Sequence, residues 1–359
     1  MGPQETSRGP VPHGHVTLAQ VARWAGVSAQ TVSNAVNNPE RVAPQTRERI
    51  LAAVEELGYE PNLSARALRN RSSSLIAFKT RPARPDKASL LMDEFLYALN
   101  ASAAQAGYHL ILCHAEDGSA NEIKAYRDLL KKTSVDAFVL AETHHNDDRV
   151  AALRSWGVPF ATFGRSWDGD DTTAWVDVDG RSGTRAATEH VAAQGHRRIG
   201  HIGWLAESEI GAERREGWLD GCRERELETD LQAAVPDTLE AGRQAAHRML
   251  DAARPATALV CASDTLALGV LRALHERGLR PGVEVGVTGF DDSPTAALVS
   301  PGLTTLHQPI DVVGRELIKA IDNLLAGDLR EPHHVLLEPE LIVRGSSVTG
   351  PMQSGPPRQ

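Results

Sequence analysis

The sequence predicts a mixed α/β chain in two unequal parts, a small all-α N-terminal unit followed by a larger, doubly wound α/β region. Three observations predict it. From Val16 to Leu57 apolar residues recur at helical spacing between short connections. From Ser74 onward, short apolar runs of β type alternate with longer amphipathic stretches, the pattern of a parallel sheet with helices on both faces. Residues 60 to 73 separate the two regimes, and 359 residues suffice for two or three domains at roughly 100 to 200 each.

In the first part, Thr17 can cap a helix whose apolar residues Leu18, Val21, Ala22 and Ala25 share one face. Gly26 supplies the left-handed turn after it. Ser28 caps a second helix running to about Val36, with Val32 and Val36 inward and an uncharged outer face of Ala29, Gln30, Ser33, Asn34 and Asn37. Pro44 opens a third helix through Ile50, Leu51, Val54 and Leu57, which Gly58 stops. Three helices so spaced, with a tight Gly turn between the first two, make a helix-turn-helix, a motif that sets its second helix in the DNA major groove.

The string VTLAQVARWAGVSAQTVSNAVNNPERVAPQTRERILAAVEELGYEPN (16–62) resembles the DNA-binding headpiece of the LacI (lactose repressor) family almost end to end. The resemblance implies Ala29, Gln30 and Asn34 at base-edge positions, where a Gln amide suits a bidentate pair with adenine. It places Thr17, Ser28, Thr31, Ser33, Asn37 and Arg41 in the flanking, backbone-contacting set. Two departures stand out: Asn34 where many members carry Arg, and Ala43 where a Ser hydroxyl is usual. The next string, PNLSARALRN (61–70), is similar to the family's hinge. So short a helix is marginal alone in water, so the resemblance implies one that orders with its partner hinge on DNA. Asn62 opens it, and Leu68, with Ala65 beside it, takes the place of the leucine that wedges between base steps in the minor groove.

In the second part, strand-like runs fall at 75–78, 109–113, 137–140, 160–163, 199–203, 259–262 and 285–288, with helical stretches near 91–106, 120–132, 148–156, 181–194, 212–226, 239–251 and 265–277. Ligands of such sheets sit at the carboxyl ends of strands. The strings AAQAGYHLILC, TEHVAAQGHRRIGHIGW, LVCASDTLALGVLRAL, VGVTGFDDSP, PGLTTLHQPI and ELIVRGSS resemble the family's effector region, implying two periplasmic-binding-protein-like lobes around a ligand cleft. By that resemblance Arg214, in RREGW, is the guanidinium that forks sugar hydroxyls, with Arg215 as the alternative. Asp291, in GFDD, accepts from a vicinal diol, while Asp292 is structural. Ser263 stands where many members carry Asn, and Asp264 then caps the following helix. Gly164–Arg165 replaces an Asp–Arg pair, making room for a ligand larger than a monosaccharide.

Trp167 and Trp204 follow predicted strand ends, where an indole face could stack on a sugar ring or simply fill a lobe. Phe290 and Phe95 are weaker candidates for that role. The expected domain limits are a tail at 1–14, the headpiece at 15–60, hinge and linker at 61–72, the effector and dimerisation region at 73–345, and a disordered tail at 346–359. No run of apolar residues reaches membrane-spanning length. Cys113, Cys222 and Cys261 lie far apart, as suits reduced thiols in the cytoplasm better than disulfides or zinc. No HExxH, GxSxG, Walker or GxGxxG string proposes an enzyme, a metal or a cofactor.

The net charge of −9 would argue against nucleic acid if it were spread evenly. Residues 1–71, however, carry 8 Lys+Arg against 6 Asp+Glu, a balance of +2, so the acidity belongs to the remainder. The expected function is a homodimeric transcription regulator, most simply a repressor. It would bind a double-stranded operator under control of a small molecule, a mono- or disaccharide or else a purine-like corepressor. A sugar sensor without DNA binding is the alternative from another class.

Overall fold

The computed structural model describes residues 16–37, 39–59, 72–80, 91–116, 118–170, 172–205, 208–328 and 332–348. The chain divides into two units, residues 1–73 and 74–359.

In the first unit, α1 (Leu18–Ala25), α2 (Ala29–Asn37) and α3 (Pro44–Leu57) match the expected three helices, with a 3-10 turn at Pro39–Arg41. Thr17 occupies the N-cap of α1, where its backbone N–H and its hydroxyl both donate to Gln20 Oε1, at 2.6 and 2.9 Å. Gly26 ends the helix at φ +64°, a conformation costly for residues with a Cβ. Ser28 Oγ accepts from the Thr31 backbone N–H at 3.1 Å, and Ala43, at the N-cap of α3, gives no side-chain bond. Val21, Ala22, Ala25, Val32, Ala35, Ile50, Ala53 and Tyr59 form the core. Leu51 departs from expectation: it is exposed, because Ile50 and Ala53 hold the inner stripe and Leu51 lies about 100° farther round the helix.

The second unit builds two sheets. The first takes β1 (Leu75–Thr80), β2 (His109–His114), β3 (Ala137–Ala141), β4 (Phe160–Phe163), β5 (Ala174–Val178) and β11 (His334–Leu337) in the order β11-β5-β4-β3-β1-β2, all parallel. The second takes β6 (Ile199–Gly203), β7 (Gln232–Ala234), β8 (Ala258–Cys261), β9 (Gly286–Asp291), β10 (Thr304–His307) and β12 (Glu340–Ile342) in the order β12-β10-β9-β8-β6-β7, antiparallel only at β10–β12. The chain therefore crosses between lobes three times, near Asp179, Pro309 and Pro339.

Each sheet is covered on both faces, so β3 is apolar and buried along its whole length, and β6 is buried throughout, with its one polar side chain, His201, placed 3.1 Å from Val260 O through Nδ1. In the first lobe, Phe95 and Leu99 of α4 (Leu91–Gln105) and Val313, Leu317 and Ile321 of α12 (Ile310–Leu325) cover one face. Tyr126 of α5 (Ser119–Lys132) and Leu153 of α6 (Asp148–Ser155) cover the other. In the second lobe, α9 (Leu239–Leu250) and α10 (Asp264–Glu276) lie opposite α7 (Gly180–Ala193) and α8 (Glu209–Glu224).

The expected strands and helices are present. Those unread in the sequence are β5, β7, β10, β11, β12, α12 and α11 (Pro294–Leu298). The expected tail starting at 346 is corrected. Ser346 and Ser347 are fully buried: Ser346 Oγ donates to Val287 O at 2.7 Å, its N–H donates to Gly302 O at 2.9 Å, and Ser347 Oγ lies 2.6 Å from Thr304 Oγ1. These small hydroxyls complete hydrogen bonding beside β9 and β10, so the second lobe runs past 345. Among the described residues no helix is long and apolar enough to cross a membrane.

Candidate functional site

Two surfaces correspond to the expected sites. On α2, Ala29 and Gln30 are exposed and Asn34 half-buried, and Gln30 Nε2 donates to Asn34 Oδ1 at 3.1 Å, one turn on. The pair leaves Gln30 Oε1 and the Asn34 amide N–H groups for an outside partner. Thr17 and Ser28 are exposed at the two helix starts, Thr31 is bonded to Ser28 Oγ, and Arg41 is exposed with Glu40 at 3.9 Å. Ser33 is corrected: it is 7% exposed, between the buried Val32 and Ala35 of the same helix. Asn37 closes α2, but its side chain lies outside the described residues, as do Asn62, Ala65 and Leu68.

In the second unit, a cavity of about 990 Å³ opens between the lobes at the carboxyl ends of β1, β3, β6 and β9. On its second-lobe wall, Arg214 is 4% exposed on α8. Gly217 fixes that placement, because a Cβ there would stand 2.2 Å from Arg181 O of α7. The Arg214 guanidinium lies 3.6 Å from the centre of the Phe290 ring and 4.9 Å from that of Trp204. NH1 donates to Ala262 O and approaches Asp291 Oδ1 at 3.8 Å, while Nε has no hydrogen-bond partner. Burial lowers the Arg214 pKa, against the pull of the Asp291 and Asp237 carboxylates.

Asp291 ends β9 at φ +121°, a strained value for a residue with a Cβ, and accepts from Gln308 Nε2 at 2.8 Å. Burial pushes its carboxyl well above the usual range, Arg214 opposes the shift, and Asp264 and Asp237 reinforce it. Asp237 and Gln308, both lining the cavity, were not read from the sequence. Each stands beside a short or unread strand.

The remaining expected ligands are placed differently. Ser263, rather than Asp264, is the N-cap of α10: its Oγ accepts from Leu266 N–H at 3.2 Å and donates to Asp237 Oδ1 at 2.6 Å. Ser263 therefore stands behind Asp237 and does not line the cavity. Asp264 ties loops together, accepting from Ser293 N–H at 2.7 Å and Thr305 Oγ1 at 2.5 Å. Phe290, 1% exposed, is the bed beneath Arg214, and Phe95 is core, packed on Phe78 and Phe163. Trp204 lines the cavity, but Trp167 does not and packs instead beside the Arg165 guanidinium, 5.3 Å away.

Arg165 is also off the cavity lining, held by Asp177 at 2.7 Å and by Glu213 of the other lobe at 2.8 Å. Burial lowers its pKa but those carboxylates raise it more. Arg215 is exposed and donates to Gln232 Oε1, so of the two arginines Arg214 faces the cleft. Asp292 is structural, accepting from Arg344 NH2 at 2.7 Å.

The first-lobe wall carries a polar cluster that sequence reading missed. Lys79 Nζ donates to Glu122 Oε1 at 2.8 Å, while Arg149 NH1, at 2.9 Å, and Tyr126 OH, at 3.0 Å, donate to Glu122 Oε2. Arg149 also forks Asp147, with Nε–Oδ1 at 2.9 Å and NH2–Oδ2 at 2.6 Å. Burial would raise the Glu122 pKa, but Lys79 and Arg149 hold the carboxyl below its usual range.

Residues 17–62 match the family of bacterial regulatory proteins, lacI family, and residues 188–347 match the periplasmic binding protein-like domain. The HTH-type transcriptional regulator CelR of Thermobifida fusca is 32% identical over 339 residues, 92% of this chain and 98% of its own. The HTH-type transcriptional repressor PurR of Pectobacterium carotovorum is 29% identical over 93% of this chain and 98% of its own. A solved transcriptional regulator CelR–cellobiose complex superposes with a TM-score of 0.70 at 29% identity, covering 92% of this chain and 100% of that one. The lac repressor dimer bound to operator and the anti-inducer ONPF superposes at 0.83, with 28% identity over 94% of this chain and 100% of that one. The chain belongs to the lacI family of bacterial regulatory proteins, as a transcriptional regulator with a helix-turn-helix unit and a periplasmic-binding-protein-like domain.

Proposed function

We propose that the protein is a homodimeric repressor acting in the cytoplasm, which reads a palindromic double-stranded operator through Ala29, Gln30 and Asn34 and is controlled by a mono- or disaccharide in the inter-lobe cleft. The observation that carries the effector reading is the Arg214–Asp291 pair. A buried guanidinium with an unpartnered Nε stands 3.8 Å from a carboxylate oxygen, so a donor and an acceptor are set together at the spacing of adjacent hydroxyls. The Trp204 ring beside them offers an apolar face for the C–H groups of a sugar. The cellobiose complex of a relative alike over 92% of this chain supports the same class of effector.

A ligand held by both walls fixes the angle between the lobes. Through residues 61–72 it would then set whether Asn62, Ala65 and Leu68 engage the minor groove. A coupling of about 1–3 kcal/mol, a 5- to 150-fold change in operator affinity, is ordinary for such linkage. The likeness to a repressor named PurR keeps a purine-like corepressor as the second reading. A gel-shift titration at fixed salt separates the two. Weaker operator binding with saccharide supports induction, whereas no effect of saccharides together with tightening by a purine base rejects the saccharide.

A further inference from the structure

The cleft is larger than a single sugar ring needs. Its volume of about 990 Å³ lies at the top of the roughly 300–1,000 Å³ common for small-molecule sites. Arg214, Asp291 and Asp237 line only the second-lobe side. Opposite them, Lys79, Glu122 and Tyr126 line the first-lobe side, with Phe78, Leu91 and Met92 as apolar neighbours.

Lys79 and Glu122 have side chains only 8% exposed and are paired at 2.8 Å. An ammonium carries three N–H donors, so the pairing leaves Lys79 with donors to spare, and the Tyr126 oxygen keeps acceptor capacity after donating to Glu122. Hydroxyl groups of an uncharged ring match that combination. A phosphate does not. The two cations of the cluster are already neutralised, Lys79 by Glu122 and Arg149 by Glu122 and Asp147 at 2.9 and 2.6 Å. The facing wall adds the carboxylates of Asp237 and Asp291.

We propose that Lys79, Glu122 and Tyr126 form a second saccharide subsite for an uncharged ring, so that the effector is a neutral saccharide of two or more units. This rests on the saccharide reading of the Arg214–Asp291 wall and adds to it the length and the charge of the ligand.

Calorimetric titration of the full chain with glucose, galactose, cellobiose, maltose, lactose, glucose 6-phosphate and trehalose 6-phosphate tests both readings. The expected result is that one neutral disaccharide binds at least tenfold more tightly than its component monosaccharide, while neither phosphorylated sugar binds. Lys79→Met and Tyr126→Phe should each weaken that disaccharide about tenfold, the effect of one lost charged or polar hydrogen bond, and leave the monosaccharide unchanged. A cluster that is only structural would lower the melting temperature and both affinities together, which overturns the subsite. If Lys79→Met does not fold, Tyr126→Phe, which removes a single hydroxyl, decides alone. Monosaccharide binding with no gain from a second ring, or tighter binding of a phosphorylated sugar, also overturns the subsite while the saccharide reading stands. No binding of any saccharide by the wild type overturns that reading and the subsite with it.

Discussion

The two walls of the cleft bury charge in opposite ways. On the first-lobe wall, Lys79, Glu122, Arg149 and Asp147 alternate in sign and are mutually bonded, and Glu122 is held ionised below the usual carboxylate range. On the second-lobe wall, Asp237 and Asp291 face one guanidinium that is 3.8 Å from Asp291 and has an unpartnered Nε, with Asp264 adding its charge beside Asp291. Balanced charge of the first kind stabilises the lobe and leaves a ligand only the spare N–H donors of Lys79 and the acceptor capacity of the Tyr126 oxygen. Charge short of partners, on a backbone strained at Asp291, is held for something that arrives later.

The sharpest test of that contrast is one charge removed from each wall. Glu122→Gln leaves two buried cations sharing one remaining carboxylate, and at pH 7 it should cost about 3 kcal/mol, the usual penalty for breaking a buried pair. Asp291→Asn relieves the crowding with Asp264 and Asp237 but also removes the carboxylate nearest Arg214, and these opposing effects should hold the change in stability within about 1 kcal/mol. Urea unfolding of the two variants decides the matter. Equal losses would erase the distinction between the walls.

The next effect in size concerns ligand rather than fold. Arg214→Lys keeps the charge near Asp291 but loses the planar fork and the Nε donor. Saccharide affinity should fall about thirtyfold, roughly 2 kcal/mol, as for a lost charged hydrogen bond. Calorimetry showing unchanged affinity would remove Arg214 from the site.

The same contrast explains what the sequence could show. Arg214 and Asp291 sit in local strings, RREGW and GFDD, at the ends of strands or on the helix just after one, so a few adjacent residues carry the information. The first-lobe cluster has no such string. Lys79, Glu122 and Arg149 stand 43 and 27 positions apart, brought together only by parallel strand pairing. On an amphipathic helix Glu122 looks like solvated surface; the available signal was Tyr126 one turn on, in register with Leu129 and Leu130 on the inward side. The sequence offers both Ser263 and Asp264 as caps, because either residue type can cap a helix, and only the geometry of α10 chooses Ser263. The helix α12 follows a regular apolar pattern at Ile310, Val313, Leu317 and Ile321, yet it packs on the lobe opposite to the strand that precedes it. No local pattern reveals such a crossing.

The smallest effect lies where the walls meet. Glu213 of the second lobe pairs with Arg165 of the first at 2.8 Å, and burial pushes its carboxyl up to about 7, with Arg165 opposing the shift and Asp177 and Asp179 reinforcing it. A carboxyl whose folded value lies above its unfolded value stabilises the fold most at low pH. That contribution is lost as pH rises from about 4.5 through 7. Glu213→Gln cannot titrate, so its melting temperature should fall less than that of the wild type between pH 5 and 8. If instead the variant falls more steeply, the ionised pair with Arg165 outweighs the burial of Glu213, and the junction belongs with the balanced first-lobe wall rather than with the under-partnered second.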